Sequence, residues 1–122
     1  MARFIDELKR THDCGALRLD NLGEEVVLFG WVHSRRDHGG CIFIDLRDRE
    51  GVTQVVFDEG DNTEVHAIAE RMRSEWVIGI RGTVRDRGDM RNPNMSTGEV
   101  EIIVHEATVF NQSETPPFNV DE

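Results

Sequence analysis

The stretch GWVHSRRDHGGCIFIDLRDREGVTQVVF, residues 30–57, decides the fold. In its centre, CIFIDLRD, successive side chains of an extended chain point to opposite faces. Ile42, Ile44 and Leu46 share one face, and Cys41, Phe43, Asp45 and Arg47 share the other. The purely aliphatic set is the core face. Phe43 is thereby left outside, beside a carboxylate and a guanidinium. VTQVVFD reads as the next strand, after a short turn of Arg49, Glu50 and Gly51 in which the glycine is available for a positive φ. Gln54 shares parity with Val52 and Val56, and the face of this strand stays open, because small barrels bend enough to defeat parity. Upstream, EVVLFGWVHSRR reads as a first strand, apolar on both faces at its centre, and Arg-Asp-His-Gly-Gly turns it back.

Outward from this core, a helix follows the third strand. Asp61, Asn62 or Thr63 can cap it, Asp61 with Glu64 resembles a capping box, and Val65, Ile68, Ala69 and Met72 fall on one face. EWVIGIRGTVR gives a fourth strand with Trp76, Ile78 and Ile80 inward and Arg81, Thr83, Arg85 and Arg87 outward. DRGDMRNPNMSTG reads as an exposed loop. EVEIIVHEATVF gives a fifth strand with Val100, Ile102 and Val104 inward and Glu99 and Glu101 outward. RFIDELKRT is either a short N-terminal helix or an unstructured lead-in, and NQSETPPFNVDE reads as a linker. Three strands, a helix and two strands form the pattern of an all-β OB-fold, a five-stranded Greek-key barrel with one connecting helix. The expected division is 1–13 as an extension, 14–111 as the barrel and 112–122 as the start of a hinge.

The 122 residues fit one domain, and 38% of them are hydrophobic, enough for one core. No apolar run spans a membrane, and the charged N-terminus does not read as a secretory signal. Cys14 and Cys41 have no metal spacing and form no disulfide framework, so a reducing cytoplasm is expected. The net charge of -10 counts against a sequence-blind nucleic-acid binder, although local patches decide recognition. The basic residues are one lysine and thirteen arginines, and arginine stacks and donates in pairs where lysine does not. No nucleophile–base pair, metal cluster or phosphate-binding glycine loop is present, so this chain alone is expected to catalyse nothing.

An outward aromatic on the second and third strands of an OB barrel suits stacking of an unpaired base. Arg36 can donate to a base carbonyl or a phosphate. Gln54 offers both a donor and an acceptor to a base edge, and Glu101 only accepts, which suits guanine N–H groups. Each residue also has a plainer reading. Phe43 can be covered by a neighbouring segment, Glu101 and Gln54 can be solvated strand residues, and His38 can be an ordinary turn residue. Arg85, Arg87 and Arg91 alternate with Asp86 and Asp89, so a self-paired loop is as natural as one that contacts RNA.

LFGWVHSRRDHGGCIFIDLRDREGVTQVVF, continued by GTVRDR, STGEVEI and TPPFNVDE, resembles the N-terminal anticodon-binding domain of bacterial-type aspartyl-tRNA synthetases, which are class IIb aminoacyl-tRNA synthetases. The resemblance covers nearly the whole chain from about Cys14 onward. It implies binding of the anticodon loop of tRNA-Asp. Phe43 would stack on the middle uridine, with Arg36 and Gln54 bonding to it or to its neighbours. Glu101 would accept from the first base, and Arg85, Arg87 and Asn92 would face the third base or the backbone. It also implies a homodimeric, ATP-dependent aspartate–tRNA ligase whose ATP and Mg2+ sites lie in a catalytic domain outside this sequence. No cofactor, membrane or DNA is expected for the chain itself. His38-Gly39 resembles the specificity turn of members that charge tRNA-Asn as well as tRNA-Asp. Two other classes remain beside this one: a generic single-strand nucleic-acid module, which would need a basic groove, and a peptide-binding module.

Overall fold

The computed structural model describes residues 11–88, 91–93, 95 and 97–110. The N-terminal helix reading before residue 11 and the linker reading after residue 110 lie outside the described residues. The elements are β1 (Glu25–His38), β2 (Cys41–Asp48), β3 (Gly51–Asp58), α1 (Thr63–Glu70), β4 (Val77–Asp86) and β5 (Val100–Val109). The strands close a barrel in the order β1-β2-β3-β5-β4. All pairings are antiparallel except the short parallel one between β3 and β5, where Val55 faces Ile102. The expected five-stranded OB-fold barrel is present.

Apolar burial holds it together. Leu28, Ile42, Ile44, Leu46, Val55, Phe57, Ile78, Ile80 and Ile102 form the buried interior, and Val65 and Ala69 of α1 pack onto it with Met72, just past the helix end. The cap of α1 is Asn62. Its side chain accepts from the Val65 N–H at 3.1 Å and donates to the His105 carbonyl at 3.2 Å, which ties the helix to β5. A second cluster of Val27, Phe29, Val77 and Phe110 forms on the outer face of β1 and β4, where Phe29 and Phe110 meet edge to face at 6.0 Å. The two-faced apolar pattern of β1 is explained by these two clusters.

Two bulges change which side chains share a face. In β1 the register passes from Val32↔Leu46 to Ser34↔Asp45, leaving His33 as an extra residue. Ser34 and Arg36 therefore fall on the outer face with Asp45 and Phe43, whereas strict alternation from Val32 would have turned them inward. Arg35 turns to the barrel end. There its Nη1 donates to the carbonyls of Ala69, Glu70 and Met72 at 3.1, 2.9 and 2.9 Å, pinning the chain where α1 ends. In β5 the register passes from Glu106 to Val104 opposite Arg81 and Gly82, so alternation restarts after His105.

Three expectations are corrected. Gly51 does not have a positive φ. Gly39 and Gly40 do, at 57° and 87°, as a two-residue turn between His38 and Cys41 requires. Gly51 serves close approach instead, since a Cβ there would lie 2.6 Å from the Cα of Gly15. The loop before β5 is not wholly exposed: Thr97 is buried and its hydroxyl donates to the Val52 carbonyl. Glu101 points outward as expected, yet it is only 9% exposed rather than solvated.

Candidate nucleic-acid interface

The outer faces of β1, β2, β3, β5 and β4 and the loop after β4 line a groove of about 560 Å³. Arg36, His38, Phe43, Gln54, Arg85, Arg87 and Glu101 all border it, and Gly39 follows His38 in the adjoining turn. Asn92 also borders it, as do Asp37, Asp45 and Met95, which sequence reading did not assign to the site. Asp45 carried a legible signal, because it shares parity with Phe43. Met95 carried none, because it sits in a loop without period.

One hydrogen-bonded chain crosses the groove floor in the spatial order of the strands. The Ser34 hydroxyl donates to Asp45 at 2.7 Å, and Arg36 donates to the two Asp45 oxygens at 3.1 and 3.3 Å. Arg36 Nη2 also donates to Gln54 Oε1 at 2.9 Å. Gln54 Nε2 donates to Glu101 Oε1 at 2.7 Å, and Arg85 Nε donates to Glu101 Oε2 at 2.7 Å. Reversing the Gln54 amide would set its NH2 against the guanidinium and its oxygen against the carboxylate, so the two charges fix its orientation. All five strands contribute to this chain, which makes the floor a preorganised polar surface around Phe43.

Donor accounting separates the arginines. Arg91 pairs with Asp86 at 2.7 Å, as in the self-paired reading of the loop. Arg85 spends its Nε on Glu101, and its side chain remains 44% exposed. Among the described residues, the Nε and Nη1 of Arg87 are buried and meet no hydrogen-bond partner, a burial cost left uncompensated. Among the described ionised groups bordering the groove, Arg36, Arg85 and Arg87 balance Asp37, Asp45 and Glu101. The groove is therefore close to neutral within a chain of net charge -10.

Burial pushes the Asp45 carboxyl up, but hydrogen bonds from Arg36 and Ser34 and the Arg36 charge outweigh it and hold the group below its ordinary value. A carboxylate lowered by folding adds stability above its unfolded value, about pH 4, and loses it as pH falls through the folded value. Asp45→Asn is therefore expected to be less stable than the parent in urea at pH 7, with the gap closing below about pH 4. A gap independent of pH would assign the loss to something other than the carboxylate charge. Burial likewise raises the Cys41 thiol, keeping it protonated. Among the described residues no group of three or more His, Cys, Asp or Glu side chains is placed to hold a metal ion. Among them, too, no helix is long and apolar enough to cross a membrane.

A closed five-stranded barrel with a polar groove on this face defines an oligonucleotide-binding OB module. The chain belongs to the tRNA anti-codon family, described as the OB-fold nucleic acid binding domain, which matches residues 26–110. The aspartate–tRNA(Asp/Asn) ligase of Desulfotalea psychrophila is 60% identical over 119 residues, covering 97% of this chain and 20% of that protein. This chain thus spans about a fifth of the length of that curated relative. Aspartyl-tRNA synthetase from Entamoeba histolytica shares the fold, with a TM-score of 0.76, 21% identity, and coverage of 95% of this chain and 24% of that one. OBody AM2EP06, solved bound to hen egg-white lysozyme, has a TM-score of 0.75 at 27% identity, covering 86% of this chain and 96% of its own.

Proposed function

We propose that this chain is the anticodon-reading domain of an aspartate–tRNA ligase that serves tRNA-Asp and, through the relaxed turn at His38-Gly39, tRNA-Asn. The observation that carries the proposal is the charge-fixed chain from Ser34 to Arg85 bordering the half-buried Phe43 ring. Phe43 stacks on the middle base, with Arg36 and Gln54 beside it. Glu101 keeps an unused lone pair on each oxygen for the N–H groups of a guanine at the first position. Arg85, Arg87 and Asn92 face the third base or its phosphate. A near-neutral groove releases few counterions, so it selects by base contact and holds RNA weakly. That is the reverse of a sequence-blind single-strand binder. In this reading the parent is a homodimer working in the cytoplasm. Its ATP and Mg2+ serve aminoacylation elsewhere in the longer protein, and residues 112–122 start the hinge towards that part.

The test is titration of the 122-residue chain with anticodon stem-loops of the aspartate, asparagine and unrelated types. The expected result is similar affinity for the first two, whose anticodons differ at the third base, and at least about tenfold weaker binding of the others. Equal binding of every RNA would establish the generic module instead, and no binding of any would end the RNA reading. A marked preference for the aspartate loop over the asparagine loop would remove only the relaxed turn.

A further inference from the structure

A second pocket, of about 310 Å³, lies beside the groove and shares Asn92 and Met95 with it. Arg91, Pro93 and Glu99 complete its described lining. All five residues belong to the segment between β4 and β5, and the backbone of that segment is tied down. The Asn92 N–H donates to the Gly98 carbonyl at 2.8 Å, the Met95 N–H to the Asn92 carbonyl at 3.2 Å, and the Gly98 N–H to the Met95 carbonyl at 3.0 Å. A Cβ on Gly98 would collide with the Asn92 carbonyl oxygen, so the two sides of the loop meet where only glycine fits. The Thr97 hydroxyl holds the loop to β3 through the Val52 carbonyl.

The lining suits a nucleobase. Arg91 Nε and Nη2 donate to the two Asp86 oxygens at 3.1 and 2.7 Å, a fork that fixes the guanidinium plane, while the side chain stays 43% exposed. Such a plane is a stacking surface for an unpaired base. Pro93 and Met95 add apolar wall, and the exposed Glu99 carboxylate can accept from a base N–H edge. A phosphate fits poorly, because Asp86 already meets the Arg91 charge and Glu99 repels an anion.

We propose that this pocket takes the unpaired base that follows the anticodon on its 3′ side. The proposal rests on the anticodon reading above, in which Asn92 stands at the third base. Asn92 is also part of the wall between groove and pocket, so the next nucleotide along the chain is the one that reaches it.

The experiment titrates the 122-residue chain with aspartate-type stem-loops: intact, without the base 3′ to the anticodon, without the base 5′ to it, and with the third anticodon base replaced. The sugar and phosphate stay in place where a base is removed. The 3′ removal should weaken binding at least about fivefold, and the 5′ removal should leave it unchanged. Arg91→Ala should bind the intact loop about as weakly as the parent binds the loop without the 3′ base. Removing that base should then cost the variant no more than about twofold further, and its selection at the third base should match the parent's. Equal binding of the intact and 3′-removed loops by the parent overturns the proposal, as does a loss on removing the 5′ base alone. The parent comparisons need no variant, so they decide the matter even if Arg91→Ala folds poorly. An Arg91→Ala loss that is the same with and without the 3′ base, or that abolishes selection at the third base, also overturns it. Each of these outcomes leaves anticodon binding intact. Absence of any selection between aspartate-type and unrelated loops overturns the anticodon reading and the pocket assignment with it.

Discussion

Phe43→Ala is expected to weaken binding of the aspartate anticodon stem-loop by about 1–3 kcal/mol, roughly fivefold to somewhat over a hundredfold. Its urea unfolding midpoint should barely move. Both halves follow from the same geometry. Phe43 pairs with Arg36 and Val56 across the outer face of β1, β2 and β3, and it belongs to neither apolar cluster. Deleting the ring therefore opens no cavity in the barrel, whereas a base loses its stacking platform. The flanking polar chain does not pass through Phe43, so Arg36, Gln54 and Glu101 keep their orientation in the variant. Fluorescence titration with the stem-loop, beside a denaturation curve on the same sample, measures the two effects together. A variant that binds RNA like the parent but unfolds early would make Phe43 a packing residue and remove the central contact of the proposed interface.

How much of this was legible in the sequence depended on whether alternation survived. In β2 it survived over Cys41–Asp48, so Phe43 and Asp45 could be placed on one face by parity alone. In β1 the extra residue His33 shifts the count, and nothing in EVVLFGWVHSRR marks that position as a bulge. Arg36 was singled out for its chemistry, but its face depended on a register that only pairing with β2 defines. Glu101 shows a different gap. Its direction followed from Val100 and Ile102, but its burial comes from Gln54 and Arg85, which lie 47 and 16 residues away along the chain. Parity predicts where a side chain points and says nothing about what lies over it. The outer apolar cluster was half legible, because Val27 and Phe29 broke the pattern of β1 while their partner Phe110 ended a segment already read as a strand. Met95 and Thr97 were not legible, because their places are set by the loop's backbone bonds rather than by any repeat.

The largest expected loss of stability from a polar residue is at Asp48. Its carboxylate is 7% exposed and accepts three backbone N–H groups: Cys14 at 2.8 Å through Oδ2, and Glu50 at 2.8 Å and Gly51 at 3.1 Å through Oδ1. One side chain thus closes the β2–β3 turn and docks the segment before β1 against it. The docking is tight, because a Cβ on Gly15 would stand 2.3 Å from the Glu50 carbonyl oxygen, so the two backbones meet where only glycine fits. Asp48→Ala leaves these donors without their acceptor. Unmade hydrogen bonds to buried donors cost about 1–3 kcal/mol each, and Glu50 lies at the surface where water can replace one of them. The expected total is about 2–4 kcal/mol, read from the urea midpoint. Asp48→Asn separates the two jobs. Its carbonyl can keep the turn bonds, but its NH2 then faces the Cys14 N–H, donor against donor. That variant should lose roughly half as much stability, with the Cys14 amide exchanging its hydrogen faster while the Gly51 amide stays protected. Asp48 lies at the far end of β2 from Cys41 and does not border the groove, so the folded fraction of either variant should bind the stem-loop like the parent. Parent-like stability of Asp48→Ala would mean that the clamp contributes nothing and that the glycine contact, the Thr53 hydroxyl on the Cys14 carbonyl and the burial of Cys14 and Leu17 hold the segment in place.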